Sequence, residues 1–393
     1  MVTARDRVGL LAFAAGLAVA SNYYVQPLIP RIAADLGIGG HAGGLLVTVS
    51  QTGYLAGLVI FVPLGDLVDR RRLAPALMAV TGAGLLGAAA ATGPYWMGAC
   101  LLACGATSVV TQVLVTIAAD TAQPERRGRT IGAVASGAVL GVLLARTLAG
   151  AVSEVMGWRG VYATAGCLAV ATAFVLWRRL PPLPVAASAT YLGQLTSGVT
   201  LLRTSGVLRR ACVYGALTFA AFSVLWSTLA QMLAGPPYRF SEGLIGLFGL
   251  AAAGGALGAR GGGRLFDRGH GPTVTISALA LGSVAFALTA TGRSSLAALV
   301  VGVLAIDFAC QLVQITNQGT IFELDDQRSR LTSVYMTSRF AGGAVGSAVG
   351  TALFGSFGWV ASSLAGSALF ATALVVCAAT ALGRRPQRVG SAG

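Results

Sequence analysis

Apolar residues in this chain come in about twelve successive runs, each long enough to cross a hydrocarbon core of about 30 Å as a helix. The spans read as 8–29, 44–64, 74–93, 95–119, 130–152, 159–177, 210–233, 243–262, 273–292, 295–318, 331–355 and 359–382. Only 10% of the 393 residues are charged and 55% are hydrophobic. A soluble domain carries roughly 25% charge, so a water-borne fold would lack a surface. The expected fold is an all-α membrane protein of about twelve transmembrane helices.

Charge placement orients those helices. All 27 basic residues are arginine. With both termini cytoplasmic, the inside loops hold Arg5, Arg7, Arg70, Arg71, Arg72, Arg126, Arg127, Arg129 and thirteen more, whereas the outside loops hold only Arg31, Arg159, Arg239 and Arg293. That asymmetry follows the positive-inside rule. It also explains the net charge of +14 without a nucleic-acid partner. The lack of lysine excludes a P-loop for ATP and a lysine Schiff base. The N-terminus resembles a signal peptide, but the alternation of charge requires the first span, so an uncleaved helix is expected.

One short tract occurs twice. Gly65-Asp66-Leu67-Val68-Asp69-Arg70 and Gly263-Arg264-Leu265-Phe266-Asp267-Arg268 both read G-x-L-x-D-R, 198 residues apart (263 − 65). A second tract repeats at nearly the same offset: Ser108, Gln112 and Glu125–Arg129 align with Asp307, Gln311 and Asp326–Arg330. One duplication explains both. The expected organisation is a six-helix bundle over 1–178, a cytoplasmic linker over 179–209 opening with Pro181, Pro182 and Pro184, and a second six-helix bundle over 210–393. Parallel six-span repeats are typical of transporters with two rocking halves.

The twin loops, with Arg71 and Arg72 after the first, resemble the signature between spans 2 and 3 of the major facilitator superfamily and its echo between spans 8 and 9. The family's second loop glycine is replaced by Arg72. Further residues resemble the drug/sugar-efflux branch: Asn22-Tyr23-Tyr24-Val25-Gln26-Pro27 in span 1, Ser136-Gly137, Gly141 and Leu144-Ala145-Arg146 in span 5, and Asp307, Gln311 and Asn317-Gln318 in span 10. Two features of that branch are missing: an arginine in span 4, where Gly105 and Ala106 stand, and a Gly-Pro pair in span 5, where Val142 follows Gly141. The resemblance implies two pseudo-symmetric six-helix bundles around a cavity bordered by spans 1, 4, 7 and 10.

Charge within hydrocarbon is costly and marks function by default. Arg146, Asp307 and Arg339 lie within spans. Asp307, Gln311, Gln314 and Gln318 recur at i, i+4, i+7 and i+11, on one helical face. They are expected to line the cavity, with an interhelical packing stripe as the alternative. Counting helical rise places Asp307 and Arg339 at similar depth, which suggests an ion pair. Arg146 lies about 24 Å from the inside, level with Asn22 and Gln26. It either faces an anionic or carbonyl-bearing solute or snorkels to the outer interface. Asn22 and Gln26 share a face of span 1, beside Tyr23 and ahead of Pro27 and Pro30, which are expected to close the helix. Gln112, the repeat-mate of Gln311, is expected in the same cavity. Phe222 and Trp226 are four apart in span 7 and can stack on a ring-bearing solute or simply pack. The twin loops, through Gly65, Asp69, Arg70, Gly263, Asp267 and Arg268, are expected to form a cytoplasmic gate. In the family, such contacts latch the inner side of the outward-open state.

The function expected from these features is secondary transport of a small organic solute across the cytoplasmic membrane by alternating access, outward and in exchange for protons, with Asp307 as the coupling group. Uptake by symport or facilitated diffusion is the second reading. A membrane sensor is the third, disfavoured because the longest inside loop, of about 30 residues, leaves no room for an output domain. A Gln-rich cavity with few charges suggests a neutral or weakly charged molecule. No enzymatic activity, cofactor, metal or ATP is expected. The partners are the solute, protons and the bilayer, and the chain is expected to act as a monomer.

Overall fold

The computed structural model describes residues 4–39, 42–65, 67–123, 126–182, 191–251, 264–324 and 328–382, and every regular element among them is helical. Span 1 is built from α1 (Ala4–Ala20) and α2 (Val25–Asp35), bent by 43° at the join. The bend puts Pro27 in the first turn of α2, where a missing N–H costs nothing. The helix then runs through Pro30 to Asp35. The expectation that Pro27 and Pro30 close the first span is therefore corrected: the span bends before them, at residues 21–24, and ends after them, at Asp35.

Spans 2 and 3 are α3 (Leu45–Leu64) and α4 (Arg70–Ala89), and span 4 is divided into α5 (Pro94–Thr107) and α6 (Val110–Thr121). α7 (Arg127–Arg179) holds 53 residues. As one straight rod it would measure about 80 Å, far beyond a bilayer core. Gly157 breaks it at φ 68°, ψ 171°, a conformation that a Cβ disfavours, so α7 supplies spans 5 and 6. α8 (Tyr191–Thr204) lies in the expected linker, and α9 (Gly206–Ala234) is span 7. α10 (Glu242–Leu247) begins span 8, most of which falls outside the described residues. α11 (Gly271–Thr289) and α12 (Leu296–Phe322) are spans 9 and 10. α13 (Arg328–Leu382), of 55 residues, breaks at Gly358 with φ 77° and supplies spans 11 and 12. Nine described stretches are long and apolar enough to cross a membrane when the bent first pair counts once. Each of the two long helices is one of these nine and supplies two spans.

The two breaks are repeats of each other. Gly157-Trp158 and Gly358-Trp359 lie 201 residues apart (358 − 157). Each tryptophan ties the reversal down: Trp158 Nε1 donates to Asp35 at 2.7 Å, and Trp359 Nε1 donates to the Thr289 carbonyl at 2.6 Å. The tightest crossings repeat as well. A Cβ on Gly141 would strike the Gly16 carbonyl, and one on Gly342 would strike the Ala216 carbonyl. Small residues let these helix backbones touch. One apolar core runs from Leu11 to Leu180 and another from Tyr214 to Cys377.

Candidate functional site

The seam between the two cores is sealed toward the outside. Along α3, the Thr48 hydroxyl meets that of Ser347 at 2.9 Å, Gln51 Nε2 donates to Ser223 at 3.0 Å, and Tyr54 stacks on Phe340 with centroids 4.0 Å apart. These three residues recur every third position, which puts them on one face of α3. Further out, the Glu154 carboxylate accepts from the Ser241 hydroxyl and, at 3.1 Å, from the Gly243 N–H. It thus sits at the N-terminus of α10, where unpaired backbone donors favour an anion. Thr147 Oγ1 donates to the Gly246 carbonyl at 3.0 Å.

One turn inward from Tyr54 the seam parts. Leu58, Val62, Arg70, Asp120 and Arg127 face Phe322, Thr332 and Ser333 across a vestibule of about 700 Å³. Gln112 and Met336 line both this vestibule and a deeper cavity of about 210 Å³. Around the deeper cavity stand Tyr23, Tyr54, Gln112, Arg146, Phe219, Phe222, Asp307, Cys310, Gln311, Gln314, Arg339 and Phe340. On its outer side, Gln26, Arg146 and Trp226 enclose a void of only about 10 Å³. With the outer side sealed and the inner side spacious, the chain is in an inward-facing arrangement.

Of the residues singled out in the sequence, Tyr23, Gln112, Arg146, Phe222, Asp307, Gln311, Gln314 and Arg339 line this cavity. Gln318, one turn nearer the cytoplasm, does not. Asn22 is instead a buried joint: its amide donates to Ser108 Oγ at 2.5 Å, while Ser50 Oγ donates to its carbonyl at 3.0 Å. The kink between α5 and α6 brings Ser108 to this position, so one amide ties spans 1, 2 and 4. Gln26 and Trp226 serve Arg146. Its Nε donates to Gln26 Oε1, and its guanidinium lies 3.7 Å from the Trp226 ring centroid, 4.8 Å from Tyr23 and 5.8 Å from Phe222. Arg146 is 1% exposed, so it does not snorkel. Its Nη1 and Nη2 are buried without a hydrogen-bond partner, as is Asp307 Oδ2.

The expected Asp307–Arg339 ion pair is not formed. No Arg339 nitrogen lies within 4.0 Å of the Asp307 carboxylate, and Arg339 lies over the Phe219 ring, 4.5 Å from its centroid. Equal depth did not bring contact, because the two side chains line an open cavity and are not pressed together.

At the first loop, Asp69 caps α4 by accepting from the Arg71 N–H at 2.9 Å. Arg70 Nε donates to the Gly65 carbonyl at 2.7 Å, and Arg70 pairs with Asp120 at the end of α6. These contacts stay within the first core. Arg268 is exposed, whereas Gly263 and the Asp267 side chain lie outside the described residues. Sequence reasoning missed Tyr54, Phe219, Phe340, Asp120 and Glu154. The three-residue spacing of Thr48, Gln51 and Tyr54 was a usable signal. The others gave none, since aromatics and loop acids are unremarkable singly.

The sequence profile of the Major Facilitator Superfamily matches residues 11–347. This chain belongs to that superfamily. It is 41% identical over 368 residues to the putative uncharacterized transporter YgaY of Escherichia coli K12, covering 93% of each chain. It is 27% identical over 314 residues to a chloramphenicol resistance protein of Streptomyces lividans, covering 78% of this chain and 79% of that one. A bacterial homologue of the human lysosomal transporter Spinster, solved inward-facing and unoccupied, superposes with a TM-score of 0.72 at 16% identity, over 95% of each chain. The protein is a multi-pass membrane protein of a transporter superfamily, and its fold is the all-helical one of that superfamily.

Proposed function

We propose that the protein is a secondary transporter of the cytoplasmic membrane, acting as a monomer, that carries a small organic solute by alternating access. The observation that carries this reading is the central cavity: both cores line it, the seam closes it outward, and the vestibule leads to it from inside. The two cores, bounded at 1–178 and 210–393 and joined through 179–209, are the rocking halves. Opening outward would break the Thr48–Ser347, Gln51–Ser223 and Glu154–α10 contacts and close the vestibule. The Asp69-Arg70 loop and its partner around Asp267-Arg268 would then latch the inner side.

Asp307 is the proton-coupling group on this reading, being the one acid among the described residues of the cavity lining. A solute moves the equilibrium only if it or a proton binds the two states differently. Export in exchange for protons is the first reading, and the chloramphenicol resistance protein among the relatives favours that direction. Uptake with protons is the second reading, favoured by one observation: two arginines face a single acid in the cavity. An anion bound there would hold Asp307 in its protonated form, so solute and proton would travel together.

Two measurements separate these outcomes. Solute accumulation in whole cells, with and without a protonophore, reports direction and energy source. In proteoliposomes, Asp307→Asn should abolish transport driven by a pH gradient while leaving expression intact. Unchanged coupling would remove Asp307 from that role.

A further inference from the structure

The charges in the central cavity do not cancel. Arg146 and Arg339 line it, with Asp307 as the only acid among the described lining residues. Arginine stays protonated in proteins, so the site keeps a net positive charge whether or not Asp307 is ionised. Among the described residues, neither arginine has a carboxylate within 4.0 Å.

Arg146 has the greater need. It is 1% exposed and spends only Nε on a hydrogen bond, to Gln26. The rings of Trp226, Tyr23 and Phe222 offer π faces to the cation, which suits its charge. They offer no acceptor to its N–H groups. Nη1 and Nη2 stay buried and unpartnered, a costly state for a charged donor. Two adjacent guanidinium nitrogens form the fork that a carboxylate matches with two parallel bonds.

The remaining walls select for shape. Phe222, Phe219 and the stacked Tyr54–Phe340 pair give flat apolar surface, with Gln112, Gln311 and Gln314 between them. About 210 Å³ of space accommodates a single substituted ring.

On the transport reading above, we infer that the cargo is a small aromatic monocarboxylate, its carboxylate paired with Nη1 and Nη2 of Arg146 once the side chain turns that enclosed edge toward the cavity, and its ring against the Phe222 and Tyr54–Phe340 walls. Arg339, on the vestibule side of the same cavity, supplies the field that draws the anion inward. The site reads charge sign before ring identity. A neutral amide of the same shape gives Arg146 one carbonyl acceptor and no counter-charge, and an amine gives it no acceptor and adds a third positive charge.

The test uses the full chain in lipid nanodiscs and measures binding, not transport. Benzoate, phenylacetate and 4-hydroxybenzoate are compared with their carboxamides and with benzylamine, by thermal shift and by calorimetric titration. The carboxylates should raise the melting temperature in a saturable manner, and the amides and amine should bind at least tenfold more weakly. Arg146→Gln should abolish that preference. Arg146→Lys, which keeps the charge but loses the fork, should weaken carboxylate binding about tenfold and serves if the glutamine variant does not fold. Equal binding of acids and amides, tighter binding of the amine, no carboxylate binding by the wild type, or a preference surviving Arg146→Lys at full strength would each overturn the inference. Carboxylates that bind but are not moved by proteoliposomes would leave the site standing and sink the transport reading. Flux of a neutral or cationic solute with no carboxylate binding would do the reverse.

Discussion

Asn22, Gln26 and Arg146 show how much a buried polar side chain's role depends on its neighbours. All three sit at one depth, and only Arg146 reaches the cavity. Asn22 is consumed by Ser108 and Ser50, and Gln26 by Arg146. Removing one partner of a buried hydrogen-bonded set strands the others, at a cost of about 1–3 kcal/mol. Asn22→Ala should therefore lower the melting temperature of the purified protein by several degrees, while its pattern of solute binding stays that of the wild type. A changed binding pattern at unchanged stability would return Asn22 to the cavity wall. Trp226→Ala should act differently. It strips the cation–π face at 3.7 Å from Arg146, worth about 0.5–2 kcal/mol, and enlarges the small void outside the cavity. Solute affinity should fall, as read by the same titrations.

Single backbone positions govern the long helices. Gly157 and Gly358 turn α7 and α13 into two spans each by adopting φ of 68° and 77°. A side chain in this positive-φ, extended-ψ backbone, which is essentially glycine-only, costs roughly 1–3 kcal/mol. Gly157→Ala and Gly358→Ala should each destabilise by about that amount. The two effects should add within about 0.5 kcal/mol, as expected for distant independent sites. Chemical or thermal unfolding of the single and double variants checks this. The helix crossings tolerate even less, because the obstacle is backbone. Gly141→Leu would drive a side chain into the Gly16 carbonyl and Gly342→Leu into the Ala216 carbonyl, so neither should yield folded protein in detergent. Sequence analysis picked out Gly137 and Gly141 of span 5 only as part of a family resemblance. It overlooked the twin Gly-Trp reversals, although the repeat was visible at an offset of 201 residues (358 − 157).

For the molecule as a whole, the seam decides which side opens. Thr48 and Ser347 hydroxyls lie 2.9 Å apart across it, so the pair T48C and S347C, in a background with the six native cysteines replaced, should form a disulfide on oxidation. Transport should stop when it forms and resume on reduction, as followed in proteoliposomes. Continued transport by the cross-linked protein would mean that this seam need not open. Glu154→Gln should act in the opposite sense. It removes the negative charge at the α10 N-terminus, where helix ends prefer anions, and loosens the outer seal. A cysteine replacing Leu229, beside the void under Arg146, should then react several-fold faster with a membrane-impermeant thiol reagent from outside. No change in that rate would make Glu154 a local cap only.

Hydropathy, arginine placement and the duplicated tracts made the membrane class, the orientation and the transporter superfamily legible from the amino-acid sequence. All three are properties of position along the chain, which a bilayer reads directly: a helix crosses if it is long and apolar enough, and its loops sort by charge. The cavity wall is a different kind of property. It is where faces of several helices meet, and each successive residue points about 100° further round its helix. A small rotation therefore exchanges one wall residue for another. In the i, i+4, i+7 polar stripe of α12 several residues reinforce one face, and Asp307, Gln311 and Gln314 stand in the cavity lining. Depth alone suggested the Asp307–Arg339 pair and the exposure of Asn22, and depth leaves rotation undefined. Tertiary packing, through the glycine crossings, the kink at Ser108 and the stack around Arg146, set those rotations. In doing so it decided which polar groups are spent on the fold and which are left facing the cavity.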